Sequence, residues 1–460
     1  MLIIEKILCK LEETMIYKLL TVDSEKYIYD AYDNITVQIS DELFDMINNG
    51  ICNHRYHELI EQFGIRDIYQ DKHLSRSDYV HSDEYKWQVQ NSQKQLVLSI
   101  TENCNMRCEY CGYYDKRYEK NDHNISDSMS EHTLKAAIKK FLTCSREMDV
   151  VYISFYGGEP LLKFDLIQTA VKFVREMHYG QKICFTITTN GLLLTPDIVQ
   201  FFVENDFTIT ISLDGPKYVH DKYRLDANGN GTYTRIINNI MYIKKNYINY
   251  YEHNIRYNVV LIEHDKKNEI VDFFYHESVS YLGLSLTNHF REKYKDTINY
   301  YKNKEVHLGD EVASAFFNVE KDIRQLIKFC KIGRDDEHKV YMPAAYCLPY
   351  ERKVYVTANG SLYPCEKVPE TANYMLGNLE DWNNIEAVSS VIEKSYNTYC
   401  KKCANCWAQR FCGMCFANES IIEDKCDETR ANIEKSYSFF LSKEFQESNM
   451  YNKLLQIGLD

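Results

Sequence analysis

Cys104-Asn105-Met106-Arg107-Cys108-Glu109-Tyr110-Cys111 places three thiols within eight residues, spaced C-x3-C-x2-C, on the loop after an apolar run at 96–100. Three thiolates can hold three irons of a [4Fe–4S] cube, leaving the fourth iron open to another ligand. A zinc knuckle or a set of buried thiols is the alternative reading. Zinc sites usually take four protein ligands in paired C-x2-C steps, and no fourth Cys or His lies close. His123 is the nearest, twelve residues on in a polar stretch.

The loop sits in a repeating pattern. Apolar runs at 96–100, 150–155, 183–188, 208–213, 257–262 and 282–286 are separated by helical patterns at 131–143, 164–177 and 196–204. Thr195 reads as the N-cap of the last helix, with Pro196 at its first position. Strands alternating with helices imply βαβ units and a parallel sheet of about six strands. Ligands bind such sheets at the carboxyl ends of the strands.

The chain has 460 residues, a formal charge of −13, 45% hydrophobic and 26% charged residues. That is an ordinary globular mix, which excludes a disordered or collagen-like chain and predicts two to four domains. No apolar run approaches the roughly 18 to 20 residues of a membrane span. Charge at Glu5 and Lys6 comes too early for a secretory segment, so a cytoplasmic location is expected. The acidic total argues against a nucleic-acid partner. Sixteen cysteines without an export signal point to metal or redox chemistry rather than disulfides. Ten are clustered: Cys104, Cys108, Cys111, Cys347, Cys365, Cys403, Cys406, Cys412, Cys415 and Cys426. Cys9, Cys52, Cys144, Cys184, Cys330 and Cys400 read mainly as small core hydrophobes.

Further motifs follow the successive strands: Gly157-Gly158-Glu159-Pro160, Thr189-Asn190-Gly191, and Ser212-Leu213-Asp214-Gly215-Pro216 with Arg224 beyond. Each alone is a common turn. In this order behind C-x3-C-x2-C, the chain resembles the radical S-adenosylmethionine (radical SAM) enzymes over about residues 95–290. The resemblance implies an α/β fold with a partial (βα)6 radical SAM barrel. It implies a [4Fe–4S] cluster on Cys104, Cys108 and Cys111, with S-adenosylmethionine chelating the open iron. Cofactor contacts are implied at Gly157, Gly158, Glu159, Asn190, Ser212 and Arg224. Reductive cleavage then gives a 5′-deoxyadenosyl radical that abstracts a substrate hydrogen, fed by an electron donor such as flavodoxin or ferredoxin.

Toward the C-terminus, Cys347 is followed by Gly360 and Cys365, then Cys403-x2-Cys406-x5-Cys412-x2-Cys415 and Cys426. A pair of zinc sites is the alternative. The pattern resembles the SPASM extension of radical SAM enzymes, which implies two auxiliary [4Fe–4S] clusters and three clusters in all. By order, Cys347, Cys365 and Cys415 would hold one, and Cys403, Cys406, Cys412 and Cys426 the other. The last gap, Gly413-Met414, is two residues where that pattern has three. Cys400, Cys330 or a substrate thiolate could complete the first cluster. Glu366, directly after Cys365, corresponds to an acidic residue that deprotonates substrate in the related sulfatase-maturing enzymes. A solvated carboxylate or loop cap is the alternative.

Residues 1–90 form their own pattern. Runs at 26–30 and 35–39 flank Asp33-Asn34 as a hairpin, and Ser40 caps a helix carrying Leu43, Met46 and Ile47 that ends near Asn49-Gly50. Nine basic against seventeen acidic residues give this segment −8, the wrong sign for DNA. It resembles the winged-helix-like α+β leader-recognition module of peptide maturases, with a plain packing domain as the alternative. The expected layout is this module at 1–90, the barrel at 95–290, a connector at 291–340 with a helix at 311–329, a Cys-rich iron–sulfur domain at 341–430 and a helical tail at 431–460. The phrases around Cys406-Trp407-Ala408 and Phe411–Phe416 resemble maturases of Cys-rich peptides. These resemblances imply a ribosomally made precursor peptide with a leader as partner and a thioether crosslink as product. Formylglycine formation in a sulfatase, or a non-enzymatic zinc or iron–sulfur protein, stand as alternatives.

Overall fold

In a computed structural model, the described residues are 16–70, 75–76, 79–111, 128–177, 180–260, 266, 269–270, 273–274, 329, 339–340, 348–403, 405–412 and 422–447. Cys330, Cys347, Cys415, the run at 282–286 and nearly all of the connector at 291–340 lie outside them, as does the tail beyond 447.

An N-terminal antiparallel sheet comprises β1 (Tyr17–Val22), β2 (Glu25–Asp30) and β3 (Ile35–Ile39) in that order. β1 was not expected. The helices α1 (Asp41–Asn48) and α2 (His54–Phe63) follow. Ser40 accepts a hydrogen bond from Leu43 N, and Leu43, Met46 and Ile47 are buried against the sheet. α2 stops where Gly64 takes a left-handed conformation, φ +65°.

After α3 (Asp83–Asn91) comes the barrel sheet: β4 (Gln95–Thr101), α4 (Glu131–Thr143), β5 (Val150–Gly157), α5 (Phe164–Glu176), β6 (Lys182–Thr189), α6 (Pro196–Glu204) and β7 (Thr208–Ser212). It continues through α7 (Lys217–Tyr223), α8 (Tyr233–Asn246), α9 (Ile248–Asn254) and β8 (Ile255–Asn258). All neighbours from β4 to β8 pair in parallel, as helical crossovers require. In α4, Ser130 caps Thr133 N, and Leu134, Ala137, Ile138, Phe141 and Leu142 bury one stripe against the sheet. Each large side chain so buried contributes about 1.5–3 kcal/mol. Phe185, Phe202 and Phe207 close the core beneath the strands, with ring centroids 5.2 and 4.6 Å from Phe207.

The Cys-rich region extends this sheet. β9 (Val354–Val356) pairs in parallel with β4, and β10 (Ser361–Tyr363) and β11 (Gly377–Asn378) add antiparallel strands, giving the order β11-β10-β9-β4-β5-β6-β7-β8. Cys365 therefore follows β10 next to the barrel mouth. α10 (Ile385–Cys403), α11 (Ile422–Leu441) and α12 (Lys443–Gln446) complete the chain. The N-terminal sheet packs on this C-terminal part. The Tyr29 and Phe411 rings meet at a tilt with centroids 5.0 Å apart, and Arg410 donates to Ala31 O at 2.6 Å and Tyr32 O at 3.2 Å.

Candidate functional site

A cavity of about 320 Å³ opens at the carboxyl ends of β4 to β8, within the range of small-ligand sites. Cys104, Cys108 and Cys111 form one wall, and Gly157, Gly158, Asn190, Ser212, Arg224 and Glu366 also line it. Residues read from five separate stretches of sequence thus face one space.

The cysteine loop is held by its neighbours. Arg107 N donates to Leu225 O at 2.8 Å, Glu109 N to Tyr223 O at 3.0 Å, and Ala227 N to Asn105 O at 3.2 Å. Gly158 N and Glu159 N donate to Thr101 O and Asn103 O, both at 2.8 Å. A Cβ on Gly158 would stand 2.4 Å from Asn103 O, so glycine is what lets these two loops touch. The Asn190 amide donates to Asn105 Oδ1 at 2.7 Å and reaches Cys104 Sγ at 3.7 Å.

Burial pushes the Cys104 thiol up to about 11 and raises Cys108 despite the nearby Arg224. Such thiols ionise in place only when a cation replaces the proton. Among the described residues no three Cys, His, Asp or Glu side chains converge as the ligands of a single ion; the three thiols instead border a roomy space. The donor set fits a cluster with an open iron facing a cavity. Arg224, 6% exposed, supplies a buried cation whose Nε has no partner among the described residues. That is an unmet donor for an anionic group such as a carboxylate.

The side chain of Glu159, a residue expected among the cofactor contacts, is engaged by its neighbours. It is fully buried and is not part of the cavity wall. Oε1 accepts from Leu161 N at 3.0 Å and Thr189 Oγ1 at 2.7 Å, and Oε2 accepts from Asn190 N at 2.7 Å. Burial pushes its carboxyl up, against these three bonds. Its side chain ties the end of β5 to the turn after β6.

Glu366 lines the same cavity as the thiols. Lys353 Nζ lies 3.1 Å from both its oxygens, and the two side chains are 11% and 13% exposed. Burial is the largest single influence and would raise Glu366, but Lys353, a backbone hydrogen bond and Lys367 together hold the carboxylate below its ordinary range. Tyr156 lines the same cavity, with Glu366, Cys111 and Cys365 near its phenol. Cys406 and Cys426 also lie near each other, with Arg430 hydrogen-bonded to Cys406. Cys403 and Cys412 are described and half-buried, while the side chain of Cys400 lies outside the described set. Cys52, expected in a core, is exposed 3.7 Å from His57 Nε2.

Tyr110, Tyr156, Asp214 and Lys353 were not singled out by sequence. Tyr110 and Asp214 sit inside the quoted motifs, which was the available signal. Tyr156 and Lys353 carry none, since only folding brings them to the cavity.

Residues 98–274 match the model of the Radical SAM superfamily. Over 330 residues the chain is 28% identical to a cysteine-type anaerobic sulfatase-maturating enzyme of Clostridium novyi, covering 68% of this chain and 84% of that protein. It is 26% identical over 298 residues to the radical SAM cyclopropyl synthase TigE of Paramaledivibacter caminithermalis, covering 61% and 57% of the two chains. The structure of native anSMEcpe with bound AdoMet superposes with a TM-score of 0.52 at 20% identity, covering 80% of this chain and 99% of that one.

Proposed function

With a radical SAM domain at residues 98–274 as the premise, we propose that the protein modifies a ribosomally made precursor peptide and forms a thioether crosslink. The observation that carries this reading is one cavity lined both by three thiols and by Glu366, whose carboxyl is held below its ordinary range. When bound, an iron–sulfur cube with S-adenosylmethionine supplies a 5′-deoxyadenosyl radical for hydrogen abstraction. Cys104, Cys108 and Cys111 would hold the cube. Gly157, Gly158, Asn190, Ser212 and Arg224 would surround the cofactor, with Arg224 toward its carboxylate. Glu159 would fix the Thr189-Asn190 turn from behind.

Joining a thiol sulfur to a carbon releases the hydrogen of each partner. The carbon's hydrogen leaves to the radical, and the thiol's proton needs an acceptor in a secluded space. Glu366 would be the carboxylate to take it, kept unprotonated by Lys353 together with a backbone hydrogen bond and Lys367. Two further clusters, on Cys347, Cys365 and Cys415 and on Cys403, Cys406, Cys412 and Cys426, would accept the remaining electron. Flavodoxin or ferredoxin would supply the first.

The N-terminal sheet would take the leader as an added strand. A fifth of this chain lies outside the superposition on anSMEcpe, while nearly all of that protein is covered. The likeness to sulfatase-maturating enzymes keeps formylglycine formation as the second reading.

The test is anaerobic incubation of reconstituted protein, S-adenosylmethionine, a reductant and a precursor peptide, followed by mass spectrometry. Loss of two hydrogens with one peptide thiol blocked to alkylation supports the thioether. An aldehyde captured by a hydrazide supports formylglycine instead. A Cys104→Ala variant that still modifies the peptide ends the radical reading.

A further inference from the structure

We propose that Asp214 is a positioning residue that fixes Arg224 at both ends and so aims its guanidinium at an anionic group in the cavity. The inference rests on the cofactor site proposed above and adds a residue outside the cavity wall. Asp214 is 3% exposed in the turn after β7. Its Oδ2 accepts the Tyr110 hydroxyl at 2.5 Å, and its Oδ1 accepts Val260 N at 3.0 Å. The Tyr110 oxygen in turn accepts from Arg224 NH1 at 2.7 Å. One carboxylate therefore locks a residue of the cysteine loop, and that residue locks the guanidinium.

A second path from Asp214 reaches the backbone of Arg224. Asp214 N donates to His220 Nδ1 at 3.3 Å, His220 Nε2 meets Thr232 Oγ1 at 3.0 Å, and Thr232 Oγ1 donates to Arg224 O at 2.7 Å. This chain is consistent only with a neutral imidazole protonated on Nε2. Arg224 N also donates to His220 O at 2.9 Å. Held this way, the guanidinium cannot swing to follow a ligand, and its Nε stays without a partner among the described residues. A planar fork held in place loses little freedom when a carboxylate docks. Arg224 lines the cavity while Asp214 stands behind it.

The test uses the full-length, cluster-loaded protein and S-adenosylmethionine as probe. Binding is read from the change in the reduced cluster's electron paramagnetic resonance signal on titration. Asp214→Asn keeps the shape but offers one acceptor where Tyr110 and Val260 need two. We expect its dissociation constant for S-adenosylmethionine to rise about tenfold or more, as supporting contacts of a ligand shell typically cost. Iron content and the peptide KM should stay at wild-type levels. Arg224→Gln should weaken binding at least as much, and Asp214→Asn combined with Arg224→Gln should be no weaker than Arg224→Gln alone. Tyr110→Phe, which leaves Asp214 in place, should reproduce the effect if Asp214→Asn does not fold. Wild-type affinity in Asp214→Asn or Tyr110→Phe, or losses that multiply in the double variant, overturn the proposal. Wild-type protein that shows no signal change with S-adenosylmethionine overturns the cofactor site itself.

Discussion

Lys353 Nζ stands 3.1 Å from each carboxylate oxygen of Glu366, so a two-point ion pair sits where the turn before β9 meets the end of β10. Breaking one side of a nearly buried pair leaves a charge without compensation. Lys353→Met should lower stability by about 3 kcal/mol, and adding Glu366→Gln should restore part of it. Glu366→Gln alone should cut peptide modification by about 10²–10⁴-fold while leaving cleavage of S-adenosylmethionine intact. Chromatographic yields of modified peptide and 5′-deoxyadenosine separate the two. Unchanged peptide yield would remove Glu366 from the chemistry.

Gly158→Ala tests the contact between the cysteine loop and the turn after β5. The added carbon would stand 2.4 Å from Asn103 O and 2.5 Å from Glu102 O, both backbone atoms that cannot swing aside. Overpacking of this kind costs about 1–3 kcal/mol, and the strain falls on the segment leading into Cys104. The variant should fold yet lose about four irons per chain, one cube's worth. Iron analysis checks this, and wild-type iron content would show that the loop adapts.

The barrel was readable because its signals are local. The helical pattern at 131–143 and the runs at 96–100 and 150–155 appear as α4, β4 and β5 within a few residues. β8 begins earlier than its apolar run suggested, at Ile255 rather than 257, because Ile255 and Arg256 pair with Ile209 and Thr210 of β7. β9 is three residues long, too short to show a period, and its partner β4 lies some 250 residues away in sequence. Its place in the sheet is therefore a tertiary fact. The same applies to Glu159. Motif order located the turn, but which way its carboxylate points depends on Thr189 and Asn190, thirty residues on. Tyr110 and Asp214 meet across a separation of 104 residues, which no spacing rule registers.

Arg410→Ala tests how the N-terminal sheet is attached. The guanidinium donates to Ala31 O and Tyr32 O, at the turn after β2, beside the Tyr29–Phe411 ring contact. Charge-assisted bonds of this kind contribute about 1.5–3 kcal/mol. Their loss should speed cleavage by a protease between residues 70 and 95 and weaken binding of a leader peptide, with cluster content unchanged. Equal proteolysis rates in variant and wild type would mean that the other contacts, among them Tyr29 with Phe411, Lys18 with Glu434 and Lys443 N with Asp23, hold the sheet without Arg410.

His220 makes stability depend on pH in a defined window. Burial first, then the nearby Arg224, pushes its imidazole down to about 3 from an ordinary 6.5. The folded protein therefore needs the neutral ring, and both of its nitrogens are engaged, with Asp214 N and Thr232 Oγ1. Above pH 6.5 the ring is neutral in folded and unfolded chains alike, so its contribution is fully present. As pH falls below 6.5, the unfolded chain binds a proton that the folded one refuses, and stability declines toward the folded value. The slope approaches about 1.4 kcal/mol per pH unit, or about 2 kcal/mol lost by pH 5. His220→Gln can accept from Asp214 N and donate to Thr232 without titrating. The buried carboxyls of Glu159 and Asp214, both pushed up by burial, titrate with the opposite sign but are common to both proteins. Anaerobic urea unfolding at pH 7.5 and 5.0 should therefore show a smaller acid loss in the variant by about 2 kcal/mol. Parallel losses would mean that the unfolded chain gains no proton at this position that the folded chain lacks.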